Sequence, residues 1–440
     1  MSNSASTVPT SQLVTDVACT VCGCVCDDLQ ATVAGNQLLA MQGACRLAEP
    51  WFRSFRAAES ADAHSAFIDD RPVQQQAAVA RAVEILSRSR APLIWGLARS
   101  STPGQRAAVR LADQIGATID TTASVCHGPS IMAIQQVGES TCSLGEVRHR
   151  ADLVIFWGAN PVVSHPRHLE RYSLDPIGQF VPRGRADRTL VVIDSEPTAT
   201  SELADVFLQV PENRDFELIW VLRQLLQGKP LPSDFDPPIP LESLQKLVEL
   251  LKSCRYGVVF FGLGLARRGV GHANVEALLR LVQELNAYTR FAARRLRIPG
   301  DVSGADAVLC WQTGFPFAVN LARGFPRYNP GEYTANELLE RQEVDACVLV
   351  GSEPMSDLSA AARENLRKLP TIVLDYPHIT PAINATVRFT TAVYGLHRAG
   401  TAYRMDEVPI PLRPILTSHL PSDDEILTAI SAGISQHSPV

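Results

Sequence analysis

Five of the ten cysteines in this 440-residue chain fall within its first 45 residues. Cys19, Cys22 and Cys26 form a Cys-x2-Cys-x3-Cys triple, and eighteen residues separate Cys26 from Cys45. In a large chain, thiols clustered in this way point to metal binding rather than to disulfides. Four thiolates are the ligand set of a [4Fe–4S] cluster, the compact triple fixing three corners and the remote cysteine the fourth. Tetrahedral zinc takes the same donors, and an empty, vestigial site is a third reading. Cys24 is surplus to the four and is expected to point away.

A second thiol stands in Ser124-Val-Cys126-His127-Gly128-Pro129. A Cys-His pair between a strand end and a Gly-Pro turn is placed at the carboxyl edge of a sheet, where doubly wound folds bind ligands. A thiolate there can hold a soft metal, and the adjacent imidazole can move protons. Alone, the motif is weak, because a single cysteine in an α/β core more often packs than reacts. Two further loops read Gly-x-Asn-Pro (Gly158, Asn160) and Gly-x-Glu-Pro (Gly351, Glu353), and each is followed by a strand-end acid, Asp194 and Asp375. Bare glycine backbone admits phosphate, and a strand-end carboxylate can accept hydrogen bonds from a ribose or a guanine edge. Neither loop is Gly-x-Gly-x-x-Gly, so an NAD site lacks its fingerprint. A doubled nucleotide site suits a cofactor with two dinucleotide arms, or two copies of one cofactor. His165 and His168 flank Pro166-Arg167 and are expected at the surface, with phosphate contact as the other reading. The aromatic and proline-rich loops 311–317 and 324–330 suit a pocket or a subunit contact equally well.

The elements that position these groups alternate. Helical periodicity over 77–89, 104–115, 216–226 and 241–251 is interleaved with short apolar runs at 92–96, 151–157, 189–193, 258–261, 307–311, 346–350 and 371–374, all read as strands. This pattern predicts a parallel sheet covered on both faces. It also repeats. DLVIFWGANP (152–161) resembles DACVLVGSEP (345–354), and each is followed by a second strand ending in Asp194 or Asp375. PLIWGLARS (92–100) resembles VVFFGLGLARRG (258–269). Gly96 lies 30 residues before Cys126 and Gly264 lies 33 before Arg297. One half therefore delivers Cys126-His127 at the point where the other delivers Arg297, and two such lobes would bring them together. The expected organisation is a disordered 1–12, an Fe–S domain 13–58 with a linker over 59–75, one α/β lobe from 59–122 and 304–415, a second from 123–303, and a C-terminal tail 416–440.

Composition excludes several classes. The net charge is −6 and the pI about 6.0, so there is no basic excess for nucleic acid. Hydrophobic residues are 46% and charged residues 20%, which rules out general disorder. The longest apolar run, Gly257–Ala266, is half of a membrane span of about 20 residues. With no secretion signal over 1–12, a cytoplasmic protein is expected. Lysine occurs only four times, so the basic residues are nearly all arginine.

These motifs carry a specific resemblance. Cys-x2-Cys-Gly-x2-Cys-Asp-Asp (19–28), GACRL (43–47), SVCHGPS (124–130), TCSLGEVRHRADLVIFWGANP (141–161), HPRHLERYS (165–173), TGFPFAVNLARGFPRYNPGEYTANELL (313–339) and GTAYRMD (400–406) resemble the formylmethanofuran dehydrogenase B chains over about residues 13–415. That family is similar to the molybdopterin oxidoreductases, formate dehydrogenases among them. The resemblance implies molybdenum or tungsten held by two pterin guanine dinucleotides, with Cys126 as metal ligand, His127 as proton carrier and Arg297 on the formate carboxylate. The Cys19, Cys22, Cys26 and Cys45 set matches an electron-transfer [4Fe–4S] cluster. The implied partners are a hydrolase-type A subunit, a C subunit and a small pterin-binding D subunit, in the one-carbon chemistry of methanogenesis. There is one departure: the archaeal pattern reads Arg-Gly-His with an Asn shortly after, and this chain reads Arg297-Ile-Pro-Gly-Asp. Relatives in bacterial formyltransferase/hydrolase complexes act in tetrahydromethanopterin-linked formaldehyde oxidation without electron transfer. A non-redox structural subunit of that kind is the alternative.

Overall fold

Segments such as Leu153–Trp157 and Ala346–Val350 are apolar throughout, with no polar face to turn to solvent, so they must be covered on both sides. The computed structural model describes residues 10–55, 64–267, 270–351, 353–379 and 383–437. The expectation for 1–12 lies almost wholly outside these residues. Its strands are β1 (Gln12–Val17), β2 (Leu29–Ala34), β3 (Gln37–Gln42), β4 (Ala66–Ile68), β5 (Arg71–Pro72), β6 (Pro92–Gly96), β7 (Thr118–Thr121), β8 (Leu153–Trp157), β9 (Thr189–Asp194), β10 (Val206–Gln209), β11 (Tyr256–Phe261), β12 (Arg290–Arg295), β13 (Val319–Asn320), β14 (Arg327–Tyr328), β15 (Ala346–Val350), β16 (Thr371–Asp375), β17 (Val387–Thr390), β18 (Gly400–Tyr403) and β19 (Pro409–Leu412). Among the described residues no helix is long and apolar enough to cross a membrane.

The chain divides into two compact units. The first holds the residues up to Val125, Pro299–Arg404 and those from Pro409 onward. The second is Cys126–Ile298 with Met405–Val408. In the first, β7-β6-β15-β16-β17 run parallel at the centre of a nine-stranded sheet, flanked by the antiparallel pairs β13/β14 and β4/β5. In the second, five parallel strands are ordered β12-β11-β8-β9-β10. The two orders are the same if β6 matches β11, β7 matches β12, and β15, β16 and β17 match β8, β9 and β10. The sequence repeat is therefore a repeat of topology, with the two halves of the motif exchanged in chain order. Alternate residues of β6 and β15 serve opposite faces. Ile94 and Val348 join one core with the helix Thr102–Ile115, whereas Leu93, Trp95, Cys347 and Leu349 join another.

Four expectations need correcting. Residues 307–311 are not a strand but part of the helix Val302–Thr313; Val302, Ala305, Val308 and Leu309 face the interior at helical spacing, and Gly314 stops the helix with φ +87°. The C-terminal segment is no tail: Ile426, Leu427, Ile430 and Ile434 of the helix Asp423–His437 enter the first unit's core. The supposed linker contributes β4 and β5, joined by Asp69 and Asp70, both with positive φ, as a two-residue hairpin turn requires. His165 and His168 are buried, not at the surface. His168 packs against Phe260 and Phe156, with ring centroids 4.6 and 5.8 Å away, and its Nδ1 meets Ser173 Oγ at 2.9 Å.

Backbone contact shapes the second sheet's carboxyl edge. Gly158, at the end of β8, has φ +56°, and its carbonyl accepts a hydrogen bond from Gly264 N at 3.0 Å. A Cβ on Gly158 would fall 2.6 Å from Leu265 N, and one on Gly264 would fall 2.7 Å from Gly158 Cα. Gly158→Ala should therefore lower stability by about 2 kcal/mol in a denaturant titration, combining left-handed strain with overpacking.

Burial pushes the His168 imidazole down to about 3 and that of His165 to about 4. The unfolded chain takes up these protons below about pH 6.5, while the folded chain refuses them until far lower. Their stabilising contribution is complete above pH 6.5 and is lost as pH falls toward 4 and 3. Asp120, pushed up by burial to about 7, acts in the opposite sense, so a variant comparison isolates the histidine. Between pH 7 and 5, His168→Phe should lose about 2 kcal/mol less stability than the wild type in parallel melts.

Candidate active site

In the second sheet the chain runs outward from β8 through β9 to β10, then returns to the other side of β8 with β11 and β12. The crevice at such a switch point is where open α/β sheets bind ligands. A cavity of about 270 Å3 opens there, and its walls belong entirely to the second unit. The loop after β8 supplies Gly158, Asn160 and His165, the loop after β11 supplies Gly262 and Gly264, and the end of β12 supplies Arg297. Cys126 and His127, the unit's first two residues, complete it. Cys126 and Arg297 thus share one pocket although they stand 171 positions apart in the sequence.

Each polar group in the pocket is held locally. Cys126 Sγ lies 2.8 Å from His127 Nδ1, within hydrogen-bond reach. His127 precedes the helix Gly128–Val137, and its carbonyl accepts from Ser130 Oγ at 2.7 Å, which fixes the entry to that helix. Asn160 Oδ1 accepts from Thr200 Oγ1 at 2.7 Å, and its carbonyl accepts from Val163 N and Ser164 N at 3.0 Å each. The arginine follows β12, whose Arg294 is 1% exposed and paired with Glu407 Oε2 at 3.0 Å. Polar groups form the floor of the cavity. Val163, Leu263 and Ile298, 49, 42 and 48% exposed, form its rim. Sequence reasoning put His165 at the surface and missed this rim. The usable signal was position, since His165 falls one short turn after Asn160-Pro161 at a strand's carboxyl end.

The other expected nucleotide residues are placed differently. Asp194 ends β9, and its Oδ1 accepts from Ser195 N at 2.8 Å. In the first unit, Gly351 and Asp375 lie beside Arg99 and Tyr376 around a cavity of about 10 Å3, the volume of one water. Among the described residues this cavity leaves no space for a nucleoside. The side chain of Glu353 lies outside the described residues.

Near the amino terminus, Cys19, Cys22, Cys24 and Cys26 are buried, Cys45 is half-buried, and none forms a disulfide. The cysteine loop joins β1 to β2 and is closed by Cys19 N donating to the Cys26 carbonyl at 2.8 Å. Burial pushes the Cys19 thiol well up, and the Cys22, Cys26 and Cys45 thiolates reinforce this, so the four lie within electrostatic reach of one another. Cys24 does not point away: a hydrogen bond from it draws the Cys22 thiol down. Among the described residues no group of three or more His, Cys, Asp or Glu side chains is placed to hold a metal ion.

No family model matches the chain. It is 40% identical to the B chain of the tungsten-containing formylmethanofuran dehydrogenase 2 of Methanocaldococcus jannaschii, over 92% of this chain and 94% of that protein. It is 36% identical to the protein of the same description from Methanococcus maripaludis, over 94% and 96%. The B chain of the formyltransferase/hydrolase complex Fhc of Methylorubrum extorquens is 26% identical over 66% of this chain and 75% of its own length. Among solved structures, the formyltransferase/hydrolase complex of Methylorubrum extorquens with methylofuran superposes with a TM-score of 0.68 at 23% identity, over 84% of this chain and 99% of that one. Acetylene hydratase from Pelobacter acetylenicus superposes with a TM-score of 0.65 at 11% identity, over 96% and 69%. These two likenesses concern the fold. The extent and identity of the two methanococcal matches decide the family: this chain belongs to the family of formylmethanofuran dehydrogenase B chains.

Proposed function

We propose that the chain interconverts formate and CO2 as the redox-active B component of a cytoplasmic formylmethanofuran dehydrogenase, at the pocket that joins Cys126, His127 and Arg297. The observation that carries this reading is the convergence of a soft donor, a proton carrier and a guanidinium on one cavity from distant parts of the chain. The donor set fits a molybdenum or tungsten centre held by two pterin guanine dinucleotides: Cys126 supplies the thiolate, and Gly158, Gly262 and Gly264 line the wall without side chains. Asn160 and Asp194 in the second unit, and Gly351, Glu353 and Asp375 in the first, are the candidates for holding its nucleotide arms. When bound, the group supplies a two-electron acceptor and donor.

Oxidising formate releases CO2, one proton and two electrons. Arg297 binds the carboxylate through its guanidinium, a planar fork matched to two oxygens. His127 takes the proton, its Nδ1 held at Cys126 Sγ. The rim of Val163, Leu263 and Ile298 gives the pocket an apolar mouth. Cys19, Cys22, Cys26 and Cys45 would hold a [4Fe–4S] cluster, whose ligand set is four thiolates. Tungsten is favoured by the descriptions of the two relatives at 40 and 36% identity. The A, C and D subunits complete the enzyme.

The non-redox alternative, a structural subunit of a formyltransferase/hydrolase complex, draws on the replacement of Gly-His by Ile298-Pro299 after Arg297. Metal analysis of the anaerobically purified complex separates the two. The redox reading expects about one tungsten or molybdenum per chain and formate-linked dye reduction. A metal-free complex that still hydrolyses its formyl carrier at full rate supports the scaffold instead. Within the redox reading, Cys126→Ala should abolish formate-linked dye reduction and leave formyl release by the partner subunits and the melting temperature unchanged, because one thiol adds little packing. Arg297→Gln should raise KM for formate about 100-fold with a smaller change in kcat, reflecting a lost charge-assisted pair worth about 3 kcal/mol.

A further inference from the structure

The Arg297 backbone carbonyl accepts a hydrogen bond from His165 Nε2 at 2.9 Å. His165 is itself buried, lines the same cavity, and has Ser164 Oγ 2.8 Å from its Nδ1. A carbonyl can only accept, so Nε2 carries the proton and Nδ1 is the acceptor facing Ser164 Oγ, which also lies 3.1 Å from the Asn160 carbonyl. Both ring nitrogens are used and the tautomer is fixed. The three residues form a short chain from the loop after β8 to the end of β12: Ser164 hydroxyl to His165 ring to Arg297 carbonyl. Burial also pushes the imidazole down to about 4, so at neutral pH the ring carries no charge.

We infer that His165 is a positioning residue for Arg297, fixing the backbone from which the guanidinium reaches into the pocket. The inference rests on the proposed role of Arg297 toward formate and adds the element that sets its geometry. The loop carrying His165 is anchored in turn by Asn160, whose carbonyl accepts from the backbone of Val163 and Ser164. The β8 and β12 sides of the pocket are thereby held together by a neutral donor. A charged imidazolium in the same place would compete with Arg297 for the substrate anion. Gln at position 165 can present an amide N–H where Nε2 stands; Phe keeps the ring shape and removes the donor.

The test uses the anaerobically purified complex in four forms: wild type, His165→Phe, His165→Gln and Arg297→Gln. Formate affinity is measured by titration calorimetry, together with kcat, KM and metal content. His165→Phe should weaken formate binding and raise KM about fivefold, the loss of one neutral hydrogen bond, with kcat and metal content unchanged. His165→Gln should restore most of the affinity. Wild-type affinity in His165→Phe overturns the inference, as does a His165→Gln variant no better than Phe. If wild type and Arg297→Gln bind formate alike, the substrate role of Arg297 falls. A crystal structure of His165→Phe then decides the inference alone: a displaced Arg297 carbonyl upholds it, and an unmoved one overturns it.

Discussion

Gly158 and Gly264 hold two strand-end loops at a separation that no side chain could share. The hydrogen bond from Gly264 N to the Gly158 carbonyl closes the contact, and Cβ atoms would fall within 3 Å of opposing backbone on either side. This crossing sits at the switch point, where β8 and β11 lie side by side but their chains leave in opposite directions. Because the backbones meet here, the loops beyond them diverge around a cavity instead of filling it. Cys126, Asn160, His165 and Arg297 are all placed by elements that this crossing brings to one edge. The first unit makes the same crossing with Gly96, where a Cβ would fall 2.3 Å from the Val350 carbonyl oxygen, and among its described residues Arg99, Tyr376 and Asp423 line a cavity of about 10 Å3 at the strand ends.

The second feature of the site is how its charge is managed. His165 and His168 are buried and held neutral, so Arg297 keeps the pocket's positive charge to itself among the ring groups after β8. The adjacent Arg294 is deeply buried but answered by Glu407, which draws Met405–Val408 into the second unit. Asp301, four residues after Arg297, is buried in the first unit and accepts hydrogen bonds from Gln105 Nε2 and Tyr403 N. Burial pushes its carboxyl well up.

Much of this was legible in the residues. The repeat of Asp, apolar strand, Gly and Pro at 152–161 and 345–354 did foreshadow two sheets of one topology, because strand ends at a switch point need glycine for close approach. Cys126 and Arg297 were expected to meet between two lobes, whereas the pocket that both line belongs to the second unit alone. What failed did so for local reasons. Ala307–Trp311 is too short an apolar run to separate strand from helix, and only the burial of Ala305 and Val302, one and two turns before Val308 and Leu309, resolves it. His165 and His168 were misplaced because a His-Pro-Arg-His string reads as polar, while the aromatic neighbours Phe156 and Phe260 that bury it come from other strands. The C-terminal helix was read as a tail although Ile426, Ile430 and Ile434 already carry its apolar stripe.

The central claim is that the cavity after β8, β11 and β12 is a redox metal site. Anomalous X-ray scattering from crystals of the anaerobically purified complex, collected at the tungsten, molybdenum and iron edges, addresses it directly. The account predicts a tungsten or molybdenum peak in the cavity at bonding distance from Cys126 Sγ, with iron peaks among Cys19, Cys22, Cys26 and Cys45. A cavity without a heavy-atom peak, in a complex that carries its metal elsewhere or not at all, would contradict it.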